Sequence, residues 1–420
     1  MRSNSRSHRV TVHIACLVSA LWLPKAALTA QRTIELPGED RWLDADFEEV
    51  FRVGSLMGEE WEQFGDVRSV AFDAAGRLHI FDRQGWAAGR IVVVDTEGAL
   101  VHSVGRKGEG PGEFQGADQV AVFPDGRVVV AELGRRAFHT FDASGDHVKT
   151  VKMGGDPGSA ILEPIAAQPG ADALITVSTG GLGAFTAQWT HESGRPAPAT
   201  SRPVERVLLT GPQAVKDTVA VGWLPPVDSV SLGRMPNGYE FKRPRLRTFA
   251  PRLYWGVMPD GRVAFSDSTT YAVKIAEAGA GIVRILARPI PPEPVTDRVI
   301  RTEKRRRLSE LEEEAEPGED LREERERIDN LKFFTEIPVI RGLAVTWDGG
   351  VWVMRRGEEP VSDGPIDLLA ADGRYLGSYR PGATEIPDAF GPDGLVAFIE
   401  ADELDVETVV VKKVVARPVN

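Results

Sequence analysis

Cysteine is almost missing from this chain of 420 residues: Cys16 is the single one, and it falls within the first thirty positions. Past that point there is no thiol to form a disulfide, ligate a metal as thiolate or act as a nucleophile. A fold built from the remainder has to be held by core burial alone, which suits a large closed body and excludes a small stapled one. Long hydrophobic runs are also lacking. Val10–Leu23 is mostly apolar, but Pro24 and Lys25 end it well short of the ~20 residues a membrane-spanning helix needs. Positive charge is in short supply, with 50 Lys and Arg against 62 Asp and Glu, a formal net charge of −12. That balance argues against nucleic acid or an anionic membrane as a partner attracted by net charge.

The first thirty residues hold Arg2, Arg6, Arg9 and Lys25 and no acid, so without them the charge of −12 becomes −16. A basic start, a short apolar stretch and the small residues Ala26-Ala27-Leu28-Thr29-Ala30 are the three parts of a secretory leader. The expected division is therefore a signal peptide over 1–30 and a body over 31–420, exported to the periplasm or the extracellular space. A lipid-anchored reading would use Cys16, but most of the apolar run follows that cysteine instead of preceding it.

Turn formers, in contrast, are plentiful: 43 Gly and 29 Pro, as a protein of many short strands requires. Val101–Asp146 shows the unit most clearly. A glycine-rich link, Gly105–Phe114, leads to an apolar strand at Gln119–Phe123, a Pro124-Asp125-Gly126 turn, a second strand at Arg127–Glu132 and a third ending at Phe141-Asp142. Degraded copies run along the chain, with turns ending at Gly76, Gly126, Gly170, Gly261, Gly349 and Gly394. Gly76 to Gly126 is about fifty residues and Gly349 to Gly394 about forty-five, the period of four-stranded propeller blades. The third copy is the weakest. Ile165–Gln168 and Ala173–Val177 fit, Phe185–His191 is the expected third strand, and Val204–Leu209 or Thr218–Trp223 the fourth. His191–Pro203 between them reads as surface loop. The sixth copy stops after its third strand, while Glu48–Val53 lies unclaimed before the first. The expected class is all-β: a six-bladed β-propeller closed by that N-terminal strand.

The glycine link, the apolar inner strand, the Pro-Asp-Gly turn and the Phe-Asp end of the third strand resemble the NHL-repeat family of β-propellers. Val101–Asp146 carries the likeness best. The resemblance implies six blades and says little about activity, because such propellers include binding platforms, lyases and lactone hydrolases. The lyases are implied to hold zinc through histidines facing the central channel. His79, His102, His139, His147 and His191 fall instead on second, third and outer strands, so no metal site is expected from them. Calcium held by channel carboxylates stays open, without a DxDxDG loop to support it; no cofactor is otherwise expected.

One segment departs from the repeat. Thr296–Leu331 is charged and helical, with Pro317-Gly318 as a joint, and predicts a helical hairpin over 296–334 inserted between the fourth and fifth blades. Ile300, Leu308, Leu311 and Ala315 share one face. Its basic run, Lys304-Arg305-Arg306-Arg307, is balanced by Glu310–Glu316 on the same helix and reads as a self-paired, solvated surface. Trp255 and Trp352 lie in predicted core strands and read as packing, and the long irregular stretch Trp223–Tyr239 as a partner or lid surface.

Gly105–Gly112 superficially suggests a phosphate loop, but a strand and not a helix follows it, so blade-to-blade geometry is the better reading. Aligning the inner strands on their turns places Arg68, Asp118, Leu253, Arg341 and Ile386 eight residues before the turn glycine. Arg252 is adjacent, and Glu163 joins if the third turn is one residue longer. Arg68, Asp118, Glu163, Arg252 and Arg341 are thus the candidate ligand residues at the channel mouth, either pairing with one another or orienting a polar ligand. No Ser-His-Asp arrangement is visible, so no catalytic residue is assigned. The expected function is a non-catalytic module that binds a protein or a small polar ligand. The alternative is a lactonase-like hydrolase or lyase using channel carboxylates, with or without a divalent metal.

Overall fold

The computed structural model describes residues 31–415 apart from 84–88, 106–107, 109, 111, 114, 155–162, 178–200, 235–239, 317 and 403–404. Residues 1–30, the proposed strand Phe185–His191 and much of the glycine link lie outside the described residues.

Six blades of four antiparallel strands each make up the body, and the sheets of blades 4 and 5 each carry a fifth strand. Blade 1 comprises Val67–Phe72, Leu78–Asp82, Arg90–Val94 and Leu100–Val104; blade 2, Gln119–Val122, Val128–Glu132, Ala137–Phe141 and His147–Lys152. Blade 3 comprises Ile165–Ala167, Ala173–Val177, Ser201–Leu208 and Val215–Trp223; blade 4, Tyr254–Val257, Val263–Ser266, Ala272–Glu277 and Gly281–Ala287. Blade 5 comprises Ile340–Val345, Val351–Arg356, Asp363–Leu369 and Tyr375–Tyr379. Blade 6 takes Ala389–Phe390, Leu395–Ala401 and Glu407–Val414 from the C-terminal region, and its fourth strand is Phe47–Val53, antiparallel to Glu407–Val414. The protein is an all-β, six-bladed propeller with two helices among the described residues.

What makes these segments strands is burial on both faces. Every residue of Leu78–Asp82, Val128–Glu132 and Ala173–Val177 is buried, so β-branched side chains fill the space between adjacent sheets and no alternation is left to read. Six separate apolar clusters result, one between each pair of neighbouring blades: 1–2, 2–3, 3–4, 4–5, 5–6 and 6–1. A full side chain such as Val130 contributes roughly 1.5–3 kcal/mol by burial, and a charge placed there would break two blades at once. The turns between first and second strands explain the spaced glycines. Gly76, Gly126, Gly170, Gly261, Gly349 and Gly394 all have φ between 75° and 86°, the left-handed region that costs other residues most.

Two of the sequence expectations are corrected by the structure. The third strand of blade 3 is Ser201–Leu208, so residues 201–203 are sheet and not loop; Arg202 and Val204 turn inward from it. The stretch after Trp223 is not irregular, since Val227–Arg234 and Glu240–Leu246 pair as an antiparallel hairpin. The segment before Phe47 also pairs with the blades. Arg32–Glu35 pairs in parallel with the outer strand of blade 4, and Trp42–Leu43 with that of blade 5. This belt covers two edges that would otherwise offer free backbone groups.

Helix α1, Asp297–Glu314, is capped by Thr296, whose side chain accepts the amide N–H of Val299, and α2 is Arg322–Asp329. Its buried residues are Val299 and Glu303, so α1 packs through its paired-charge side more than through Ile300, Leu308 and Leu311. The root of the helical segment is clamped by pairing of Glu293-Pro294 with Glu336-Ile337. No helix among the described residues is long and apolar enough to cross a membrane.

Candidate functional site

The five candidate residues all stand just before or at the start of inner strands, but they do not form one ring of partners. Arg68 is exposed and pairs with Asp66 at 2.7 Å. Asp118 turns into its own blade, accepting the Leu133 N–H at 2.6 Å. Glu163 occupies the equivalent place in blade 3: there the turn closes by Gln168 N–H to Ala173 C=O, one residue longer than Phe123 N–H to Arg127 C=O in blade 2. In blade 6 the register moves the place from Ile386 to Asp388. The Asp388 N–H bonds the Ala397 carbonyl and its carboxylate accepts the Ile399 N–H, as Asp118 does with Ala131 and Leu133. The turn closes alike in both blades, by Gly391 N–H to Leu395 C=O and Phe123 N–H to Arg127 C=O, but the inner strand of blade 6 is two residues shorter, which counting back from Gly394 does not reveal.

Arg252 and Arg341 are brought together. Both line a cavity of about 520 Å³ over the inner-strand starts of blades 4 and 5. Arg68, Asp118 and Glu163 are not part of it. Its floor is Tyr254, Ile340 and Arg341; one wall is Arg245–Ala250, leaving the hairpin; another is Pro360-Val361 of blade 5; and α1 supplies Glu303, Arg306 and Arg307. The volume lies within the ~300–1,000 Å³ typical of small-molecule sites. Six arginines face one carboxylate in the lining, inside a protein whose net charge is −12.

Most of these guanidiniums are held in place by acids. Arg247 makes two bonds to Asp228, at 3.0 and 3.2 Å. Arg306 makes two to Glu303, both 2.9 Å, and pairs with Glu310. Arg307 gives Nε to Glu303 at 2.6 Å, and Arg341 gives Nε to Asp363 at 2.8 Å. The last two keep their terminal nitrogens for other acceptors. Arg252 is exposed and has no ion pair among the described residues. Burial would raise the Glu303 carboxyl, but the bonds and charges of Arg306 and Arg307 outweigh it and hold the group below its ordinary range. Burial raises the Tyr254 phenol, and the nearby Arg252 and Arg341 charges oppose that only in part; Tyr254 stays a neutral hydroxyl at physiological pH.

The wall at Arg245–Ala250 is fastened unusually. The Thr248 N–H bonds the Lys332 carbonyl, and the Phe334 N–H bonds the Thr248 carbonyl, joining the exit of the hairpin to the exit of α2. Phe249, which follows Thr248 and precedes the Ala250 N–H bonded to the Arg247 carbonyl, has φ of 66° and packs its ring on Phe333 at 5.8 Å. A bulky residue in the left-handed region costs about 1–3 kcal/mol and persists only where its surroundings over-determine it.

A different set of charged groups is structural. Asp82, fully buried, accepts the Gly65 and Asp66 N–H groups and pairs with Arg90 at 3.0 Å. Glu132 accepts the Gln115 N–H and meets His139 at 3.0 Å. Asp267 accepts the Trp223 N–H and pairs with Lys274, each at 2.6 Å. An acid closing an apolar second strand is the signal for such pegs. Burial lowers the His139 imidazole, against the pull of Glu132, and it lowers His102 as well. His191 lies outside the described residues, and among those described no three of His, Cys, Asp and Glu gather so as to hold a metal ion. Trp352 packs between Tyr379 and Phe390 at 5.3 and 5.1 Å.

The cavity residues that sequence reasoning missed are Arg245, Arg247, Phe249, Arg306 and Arg307. The run Lys242–Arg247, so basic in an acidic chain, was the available signal for the first two.

No family model matches the chain, and no curated protein matches it. Solved structures similar to it include a conjectural exported protein of Bacteroides fragilis, at 12% identity and TM-score 0.47, covering 91% of this chain and 100% of that one. A Bacteroides vulgatus protein of the DUF4221 family has 11% identity and TM-score 0.47, covering 88% and 98%. A conjectural gluconolactonase has 13% identity and TM-score 0.38, covering 88% and 92%. Likenesses this distant carry no argument about activity.

Proposed function

We propose that this protein is an exported, non-catalytic recognition module that binds an anionic ligand in the arginine-lined cavity over blades 4 and 5. The observation carrying this reading is the convergence of six arginines on one cavity with a single acid in its lining, in a chain with an excess of acids. Arginine's planar fork suits carboxylate and phosphate oxygens, and pre-paired guanidiniums lose little freedom when a ligand arrives. Export rests on the leader-like composition of residues 1–30. The NHL-like repeat supplies the scaffold; Phe47–Val53 latches the ring by completing blade 6, and the helical hairpin between blades 4 and 5 walls the site.

The test is thermal unfolding in phosphate, citrate and chloride at equal ionic strength, for the wild type and for Arg252→Ala/Arg341→Ala. Saturating the site at a hundred times Kd stabilises by about 2.7 kcal/mol, so the multivalent anions raise the wild-type midpoint and leave the double variant unmoved. Equal shifts in both proteins would remove the cavity as the binding site.

A further inference from the structure

We infer that the ligand of this cavity is an amphiphilic organic anion: a carboxylate or phosphomonoester headgroup joined to an aromatic or branched apolar body. The inference rests on the anion-binding reading above and adds what the rest of the cavity would read. A site for a bare inorganic anion needs only donors. This one sets its arginines beside apolar surface: Phe249, Ile337, Ile340 and Val361 line the same space. Among them Phe249 is held at φ 66°, between Thr248, bonded through its N–H to Lys332 and through its carbonyl to Phe334, and Ala250, whose N–H bonds the Arg247 carbonyl. The left-handed region is one a bulky side chain rarely adopts, so the fold spends stability to present this ring at the wall.

The headgroup end follows from which donors are uncommitted. Arg252 has no ion pair among the described residues, and Arg341 and Arg307 use Nε alone for Asp363 and Glu303. These three offer terminal N–H groups to one anion. The Tyr254 hydroxyl, close enough to feel both Arg252 and Arg341, adds a neutral donor at the floor. Arg306 and Arg247, each already bidentate to an acid, shape the field instead of gripping.

Calorimetric titration of the purified full chain with two pairs of probes tests this: phenyl phosphate against inorganic phosphate, and benzoate against acetate. Burying a phenyl ring predicts that each aromatic member binds at least about tenfold more tightly than its simple partner. The stronger of the two aromatic probes identifies the headgroup. Phe249→Asn keeps a residue that tolerates the left-handed region and removes the ring. It should bring the ratio to within about twofold, while Arg252→Ala weakens simple and aromatic anions alike. The wild-type ratio needs no variant to fold. A ratio near one, with Arg252-dependent binding of phosphate, would overturn the apolar body and leave the anion site standing. Arg252-independent binding, or none by any probe, would overturn both.

Discussion

The guanidinium of Arg202 is buried and donates Nη1 to the carbonyl of Pro251 at 3.1 Å, one residue before Arg252 of the cavity. Nε bonds the Trp223 carbonyl at 2.8 Å. Burial lowers its pKa to about 10, against the pull of Asp267, so it remains charged at neutral pH. Arg202 therefore fixes where blade 3 hands the chain to blade 4, and with it the backbone that carries Arg252.

Arg202→Met should accordingly act on binding through position. Three carbonyls, those of Trp223, Pro251 and Asp267, lose donors, a cost of roughly 1–3 kcal/mol for each buried one, read as a lower urea midpoint. Phenyl phosphate affinity should fall although Arg252 is intact, and Arg202→Lys should restore part of the stability but less of the affinity, because an ammonium lacks the fork. If affinity is unchanged in a folded Arg202→Met, the backbone of Arg252 is held by other contacts.

The belt over blades 4 and 5 is fixed by a buried charge pair. Arg288 and Asp367 meet at 2.7 Å with both side chains at 0% exposure. Asp40 in the belt accepts from Arg288 at 3.0 Å and from Arg355 at 2.7 Å, and these two arginines hold its carboxyl low despite the opposing effect of burial. Removing one member of such a pair strands the other, so Asp367→Asn should cost about 3–5 kcal/mol. The replacement Arg288→Met/Asp367→Leu should cost less than either single change added to the other. Trypsin cutting at Arg32 and Arg41 should speed up first in Asp367→Asn. Protection equal to wild type would detach the belt from this network.

Gly377 gives an independent handle on the same belt. Its φ is 149°, and a Cβ there would stand 2.6 Å from Leu43 and 2.7 Å from the Arg41 carbonyl. Gly377→Ala should displace Trp42–Leu43 from blade 5, costing roughly 1–3 kcal/mol by overpacking. Amide exchange of residues 41–43 is the readout, and unchanged protection there would show that the belt adapts.

How much of this was legible in the sequence depends on how local its cause is. The Pro-Asp-Gly turns could be read because left-handed φ leaves few choices but glycine, and the second strands because burial on both faces leaves an unbroken apolar run. Ser201–Leu208 could not, since Arg202, Pro203, Glu205 and Arg206 break any such run, and its buried arginine is satisfied by Trp223 and Pro251, far along the chain. Arg32–Glu35 and Trp42–Leu43 pair in parallel with strands hundreds of residues away, so no hairpin marks them. For the site, strand register found Arg252 and Arg341, while the arginines of α1 read as a self-paired surface. They are self-paired, through Glu303 and Glu310; what the sequence did not show is that this paired face lies on the cavity.

Glu303 yields the pH prediction. Its folded pKa lies below the ordinary value of 4.5 because Arg306 and Arg307 favour the carboxylate. A depressed carboxyl contributes stability that is present above the unfolded pKa and is lost as pH falls through the folded one. Glu303→Gln keeps the shape and the acceptor oxygen but not the charge. At neutral pH it should cost roughly 1–3 kcal/mol, below the cost of a fully buried pair because both arginines remain partly solvated. Urea unfolding at neutral pH and at about pH 3 measures the difference. The wild type should lose its advantage over Glu303→Gln progressively as pH drops from about 4.5, where the unfolded carboxyl protonates, through the lower folded pKa. A gap that is the same at both pH values would mean that α1 is held by packing around Val299 and not by the charge of Glu303.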